Sequence, residues 1–456
     1  MNIPVFVIAL FALQLICLMV GKRASKQLDT QDDYFLAGRG IRFFPLLMTL
    51  IATQIGGGLI LGSAEEAFRY GWYVLFYPLG ASLGLILLAA GIGRRLSQFK
   101  VSTVAQLFEV VYKSVRLKKI ASLLSIISLF MILIAQVIAS KKFMTSIGVT
   151  DNWLFIGFWS IVILYTVAGG LKAVVATDII QALFFICIFI ASIVYSLWFN
   201  PAITLNLADI GWGEGFEFDQ SKLLGWLLMP LLFMVIEQDM AQRCFAAKSG
   251  KVVSWASGCA ALCIIFVCSI PVYYGILGKA MGVQVPEGAS VLMSVLTAST
   301  TPVITALFGC AILAAIISTA DSLINAISSN IAQDFDFQLF RKKNNVKASQ
   351  WVTCTIGCLA LLCSFYFNNV VEVLIQSYEL SVSCLFVSVF AALFIRQGNA
   401  FSGTYSILFG AVGFILFRWM PIDILPREIL SLAFSAVGYV LGEIQCRIQG
   451  QVPEKA

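Results

Sequence analysis

Apolar runs close to 20 residues long recur along the whole of this chain. A helix of about 20 apolar residues crosses the roughly 30 Å of hydrocarbon in a bilayer. There each backbone polar group must find its partner within the protein, so only helices and closed barrels span it. The runs fall at 4–20, 43–66, 72–93, 119–146, 152–169, 177–199, 223–246, 252–278, 302–333, 349–367, 370–395, 400–417 and 428–446. They predict an all-α integral membrane protein of about 13 transmembrane helices, with the lipid bilayer as its surroundings. Composition agrees, with 60% hydrophobic and 12% charged residues, where soluble domains are about half apolar and about a quarter charged. The first run begins at Ile3 with no basic residue ahead of it. A cleaved secretory signal carries positive charge there, so this run reads as a retained helix.

Basic residues fix orientation, because cytoplasmic loops carry an excess of them. With the N-terminus outside, 23 of the 30 lysines and arginines fall on inner segments and 7 outside. The expected topology is N-terminus out and C-terminus cytoplasmic. The net charge of +6 is then a topology signal and implies no nucleic-acid partner. Short loops and a compact chain suggest a bacterial inner (plasma) membrane. The 12 cysteines lie within or at the ends of the runs and read as small packing residues; this includes the i,i+4 pairs Cys259/Cys263 and Cys354/Cys358. There is no histidine, which removes the commonest metal ligand and any histidine proton relay.

Two runs are interrupted. The second carries Gly56, Gly57 and Gly58 at its centre; the seventh carries Pro230, then Glu237 and Asp239. Five spans separate them, which suggests two five-helix units of opposite membrane orientation. Broken helices at matching places in inverted halves point to a binding site at the membrane midplane. The expected segments are 1–42 (an extra helix and inner loop), 43–199 (first repeat), 200–222 (outer loop), 223–396 (second repeat) and 397–456 (two further helices). The triplet reads as an unwound stretch; close helix packing is the alternative.

Ala315, Ser318 and Thr319 stand at i, i+3 and i+4 in the ninth run, on one helix face. A second helix that stops near Ile55 leaves its last carbonyls unpaired, at the negative end of its dipole. The carbonyls of Ala52, Ile55 and Ala315 with the two hydroxyls would offer five uncharged oxygens to a monovalent cation. Hydroxyls in a span also bond to the carbonyl four residues back, and the residues alone leave both readings open. Asp178 begins the sixth run, either as a helix-end charge or as a way-station for the cation. Glu237 or Asp239 with Arg243 can form an ion pair that holds a gate. Candidates for a solute pocket beside the breaks are Gln54, Gly57, Gly58, Gln136, Phe233, Glu237, Gln376 and Tyr378. No P-loop, nucleophile elbow or zinc spacing occurs, so neither ATP-driven pumping nor enzymatic chemistry is expected.

DYFLAGRG (33–40), GGLKAVVATDIIQ (169–181), QDMAQRCFAAKS (238–249) and AAIISTADSLI (314–324) resemble recurring segments of the sodium:solute symporter family, whose members include proline, sialic acid, sugar and choline transporters. The resemblance covers nearly the whole chain. It implies the inverted five-plus-five repeat of the leucine-transporter-like fold with discontinuous first helices. It also implies Na+ as coupling ion, held by Ala52, Ile55, Ala315, Ser318 and Thr319, with Asp178 concerned in sodium binding or release. Substrate does not carry over. ATQIGGGLILGSAEEAF is similar to the choline branch, yet Gln54 stands where that branch has an aromatic and where the proline pattern has an acid. The expected function is sodium-coupled symport of a small polar, possibly zwitterionic, organic solute by alternating access. Rival readings are a proton-coupled symporter and a membrane solute sensor that does not transport.

Overall fold

The computed structural model describes residues 1–25, 28–149, 151–199, 212, 216–335, 346–366, 370–395, 398–419 and 426–449. Among them the architecture is helical, with a single isolated bridge between Ile41 and Ala247. The expected outer loop at 200–222 and the boundary at 396/397 lie largely outside the described residues.

The main helices are α1 (Ile3–Ala24), α2 (Phe43–Gln54), α3 (Ser63–Tyr70), α4 (Phe76–Leu87), α5 (Val115–Ser146), α6 (Asn152–Phe199), α7 (Gln220–Ile236) and α8 (Gln238–Ala246). They continue as α9 (Gly250–Ala280), α10 (Pro302–Asp334), α11 (Val346–Cys363), α12 (Val370–Phe394), α13 (Ala400–Trp419) and α14 (Arg427–Ile448). Their starts follow local chemistry. Asn2, Ser114, Asp219, Ser249 and Thr301 each accept a first-turn amide with the side chain, which satisfies a donor the helix leaves open. Pro302 follows its cap at a position where the missing N–H costs nothing.

Among the described residues, ten helical segments are long and apolar enough to cross a membrane, or up to 11 if the bent pair α7–α8 counts as one span. The count of 13 is therefore not confirmed as such. Two of these segments are 41 and 48 residues long, where the sequence reading placed two spans each. A straight helix of 48 residues would run about 72 Å, over twice the hydrocarbon thickness. Each long segment contains a non-helical glycine, Gly71 (φ 60°, ψ −139°) and Gly170 (φ 54°, ψ −156°).

α10 is the axis of the fold. Nearly every residue from Thr305 to Asn330 is buried, walled by α1, α5 and α6. The periphery is the reverse of a soluble protein's. Phe11, Leu164, Leu262 and Leu408 are each more than half exposed on outward faces that suit lipid. Trp153, Trp198, Trp255, Trp351 and Trp419 are the most exposed tryptophans and sit near helix ends, as in an interfacial aromatic belt.

Both ends of the bundle are latched. At one end the Ile41 amide donates to the Ala246 carbonyl (3.1 Å) and the Lys248 amide to the Ile41 carbonyl (2.8 Å). Beside them Lys172 Nζ meets Asp33 Oδ1 at 2.9 Å and holds that carboxyl below its usual range. At the other end the Glu217 amide donates to the Arg69 carbonyl (2.9 Å) and Lys222 Nζ to the Tyr70 hydroxyl (2.6 Å).

Gly170 turns α6 with a torsion pair that L side chains rarely adopt, and a Cβ there would collide with the carbonyl and ring of Tyr34. Gly170→Ala is expected to cost at least about 1–3 kcal/mol and to lower the melting temperature of the detergent-purified protein. Gly157→Ala, with open space around it, should leave that temperature unchanged or raise it. Equal melting of the two variants would show that the backbone at 170 relaxes freely.

Candidate ion and solute site

α2 stops at Gln54, and Ile55 leaves the helix with φ −84° and ψ 82°. The fate of the last carbonyls decides what the break can do. The Ile51 carbonyl keeps its normal donor, the Ile55 amide (3.0 Å). The Gly56 amide turns to Gln54 instead of Ala52 (3.0 Å). The Gly57 amide leaves Thr53 for Gln136 Oε1 on α5 (2.7 Å). Ala52 and Thr53 are thus the two carbonyls stripped of backbone partners. The triplet is both unwound and tightly packed: a Cβ on Gly56 would lie 2.7 Å from Thr319 Oγ1, and one on Gly57 2.5 Å from Ala139 Cβ.

The hydroxyls of α10 meet those carbonyls. Ser318 Oγ lies 2.9 Å from both the Ala52 and the Ala315 carbonyls. Thr319 Oγ1 lies 3.0 Å from the Thr53 carbonyl, 3.1 Å from that of Ala315 and 3.3 Å from that of Ala52. Ser318 is wholly buried and Thr319 nearly so. Ala52, Ala315, Ser318 and Thr319 therefore converge as the spacing suggests. The bonds to Ala315 are the local back-bonds of the alternative reading; those to Ala52 and Thr53 join two helices. Ile55 is buried at the break, where its amide bonds Ile51. Thr53 escaped the sequence reading, although counting the last four carbonyls of a helix ending at 54 would have found it.

Beneath this cluster lies a charged network. Ser322 Oγ donates to the Ser318 carbonyl (2.8 Å) and receives Arg243 Nη2 (2.6 Å). Arg243 also donates from Nε to Thr49 Oγ1 (2.9 Å) and from Nη1 to the Asp239 carbonyl (2.9 Å). Its Nη2 stands 3.5 Å from Asp178 Oδ2, which accepts from Thr49 Oγ1 at 2.5 Å. Two expectations are corrected here. Asp178 is no helix-end charge: α6 runs through it, and it is fully buried. Its Oδ1 has no hydrogen-bond partner. Arg243 pairs with Asp178 rather than with the carboxylates of Glu237 or Asp239, because α8 directs the guanidinium towards α2 and α10. Asp321, also buried, accepts from the Tyr165 and Thr166 hydroxyls (2.7 and 2.5 Å).

The second break is at Glu237 (φ −64°, ψ 121°), where α7 and α8 meet at 44°. α7 passes through Pro230 without interruption, so the proline is not the break. The two breaks touch, with Gln54 Nε2 donating to Glu237 Oε2 at 3.0 Å. Gln54, Gly58, Gln136, Glu237 and Tyr378 line one cavity with Tyr77. Phe233 packs against Tyr378, ring centroids 4.6 Å apart and the planes tilted by 35°. Gly57 contributes its amide to Gln136 and does not line the space. Gln376 does not line it either: Leu374 and Tyr378 do, and position 376 is rotated about 200° from both. The volume, about 20 Å³, holds a water and no organic solute, as expected of a bundle latched at both ends.

The chain is similar to known proteins over most of its length. The sodium:solute symporter family model matches residues 34–410. The chain is 23% identical over 445 residues to the sodium/pantothenate symporter of Haemophilus influenzae, covering 91% of each. It is 27% identical over 434 residues to the high affinity choline transporter 1 of Mus musculus, covering 85% of this chain and 71% of that one. A Na+-coupled sialic acid symporter, solved in a substrate-bound outward-open state, superposes with a TM-score of 0.80 at 18% identity over 96% of this chain and 97% of that one.

Removing one partner of a buried ion pair costs about 3–5 kcal/mol, because the other charge is left uncompensated. Asp178→Asn and Arg243→Gln should each lower the melting temperature, and the double variant should lose less than the two losses added together. Additive losses would show that the 3.5 Å pair carries no coupling.

Proposed function

The chain belongs to the sodium:solute symporter family, and we propose that it is a sodium-coupled secondary symporter importing a small polar organic solute, possibly zwitterionic, by alternating access. The observation that carries this reading is the convergence of the Ala52 and Ala315 carbonyls with the Ser318 and Thr319 hydroxyls. A hard monovalent cation that has shed its water is served by such neutral oxygens. In this reading Na+ is held by Ala52, Ile55, Ala315, Ser318 and Thr319. The Thr53 carbonyl, 3.0 Å from Thr319 Oγ1, is a further donor.

Coupling follows from where those oxygens come from. They belong to α2 and α10, so a bound ion clamps the broken helix to the axis of the fold. The unwound stretch that the ion fixes also brings Gly56 and Gly58 to the wall of the solute cavity, with Gln54, Gln136, Glu237 and Tyr378. Loading the ion thereby organises the pocket. Asp178, linked to the ion cluster through Arg243 and Ser322, lies on the proposed path of release. With the N-terminus outside and the C-terminus in the cytoplasm of a bacterium, each inward sodium charge gains about 2.3 kcal/mol per 100 mV of membrane potential. We assign 43–199 and 223–396 to the two repeats, 1–42 and 397–456 to the added helices and 200–222 to the outer loop between repeats.

Binding of radioactive sodium to the purified protein tests the ion site. Ser318→Ala and Thr319→Ala should each weaken sodium binding by about tenfold or more, roughly 1.4 kcal/mol. Wild-type sodium affinity in both variants would refute the site. In proteoliposomes, uptake that follows a pH gradient and ignores sodium would refute sodium coupling.

A further inference from the structure

Around the two breaks the buried core holds more carboxyl groups than cations. Asp178, Glu237, Asp239 and Asp321 are all buried around the two breaks, and among the described residues Arg243 is the one cation buried with them. That guanidinium is committed: its three nitrogens reach Thr49, the Asp239 carbonyl, Ser322 and Asp178. Asp178 has Arg243 and Thr49. Asp321 has two hydroxyl donors. Asp239 caps the amide of Met240 (2.9 Å).

Glu237 differs from the other three. It lines the cavity; the neutral amide of Gln54 donates to it, and the Asp239 carboxyl lies against it. No lysine or arginine among the described residues forms an ion pair with it. A carboxylate taken out of water without a countercharge is costly. A solute bearing a positive charge would remove that cost on entering, and a solute whose only charge is a carboxylate would add to it. The facing walls fit the same ligand. Tyr77 and Tyr378 line the cavity, and Phe233 packs against Tyr378. Aromatic faces attract cations and cover alkyl groups. Leu59, Ile132 and Leu374 supply the rest of the apolar lining.

We infer that the transported solute carries a protonated or quaternary amine and that Glu237 is its counter-ion. This rests on the symporter reading of the preceding section and narrows its substrate class. Gln54 holds the carboxylate in place: it spans the two helix breaks, and its amide leaves the negative charge available to the ammonium. Sodium and solute then make separate demands. Uncharged oxygens on α2 and α10 take the ion, and the carboxylate at the α7–α8 break takes the amine. Loading requires the cavity to open, since its present volume of about 20 Å³ admits no such molecule.

The test is a thermal-shift screen of the purified full chain, with and without sodium. The probes are ethanolamine and glycine with their N-methylated series, isosteric uncharged polyols, and small carboxylates lacking an amine. The expected result is sodium-dependent stabilisation by ammonium compounds alone. Glu237→Gln keeps a group that can bond Gln54 but removes the charge. It should weaken binding of the best ammonium probe about 100-fold while sodium binding stays near wild type and solute-free melting does not fall. Glu237→Asp should retain the preference for ammonium compounds. Stabilisation by polyols or carboxylates in place of amines, no ammonium hit in the whole panel, or undiminished amine binding by Glu237→Gln would each overturn the inference. The wild-type ranking needs no variant and decides the matter alone if Glu237→Gln does not fold. Failure of wild type to bind radioactive sodium would instead strike the symporter reading, so the two failures are separable.

Discussion

An α-helix that ends inside a membrane protein must find partners for its last carbonyls, and this requirement organises the centre of the molecule. The diversion of two amides, Gly56 to Gln54 and Gly57 to Gln136, leaves the Ala52 and Thr53 carbonyls to the hydroxyls of α10. In hydrocarbon an unsatisfied carbonyl costs several kcal/mol. The break is therefore tolerable only where another helix brings donors or an ion. α10 has to be straight, buried and polar on one face to do so, and Ser318, Thr319 and Ser322 form that face. The position of α10 at the axis, with α1, α5 and α6 around it, follows from the need to bury it from every side.

The same rule explains the pairing of the two breaks. Gln54 ends α2, and Glu237 is the hinge between α7 and α8. Their hydrogen bond satisfies a polar side chain from each in one contact. A change at the α2 break is thereby felt at the α7–α8 hinge without a long chain of intermediates. The latches at the two ends, Ile41 with Ala246 and Lys248, and Arg69 with Glu217, are short backbone contacts. Few bonds have to be exchanged to open either end.

Much of this was legible in the sequence because a bilayer allows so few solutions. Apolar run lengths gave the helices, and i,i+3,i+4 spacing put the Ala315, Ser318 and Thr319 oxygens on one face. Glycine triplets are costly in helices, so the α2 break showed as well. What stayed hidden depends on which way a helix is turned about its axis. Gln376 and Tyr378 are two residues apart, and only the rotation of α12 decides which one reaches the cavity. Tyr77 has no sequence signal of its own and enters the site through the packing of α4 against α7. Asp178 reads in sequence as the start of a run, whereas the helix resumes directly after the turn at Gly170 and places it about two turns inside; the buried Arg243 partner that makes the acid tolerable there comes from a segment far along the chain. Pro230 attracted the seventh-span break, yet a proline removes a single helical hydrogen bond, and the chain turns only where Glu237 adopts an extended ψ.

The choice of hydroxyls and carbonyls over carboxylates at the α2–α10 contact has a consequence for energetics. Each hydroxyl donates its proton to a neighbouring carbonyl and keeps two lone pairs. A cation can use those lone pairs without displacing a proton, so ion capture there needs no titration step. The carbonyls also have a second lone pair each. Binding an ion then rearranges bonds that already exist instead of creating a site from unpaired groups. The sodium site proposed above would bind with modest net affinity, because the ion-free state is already satisfied, and modest affinity is what a transporter requires on the side where it must let go. The charged groups nearby are kept out of this contact by being matched elsewhere: Asp178 with Arg243 and Thr49, and Asp321 with Tyr165 and Thr166.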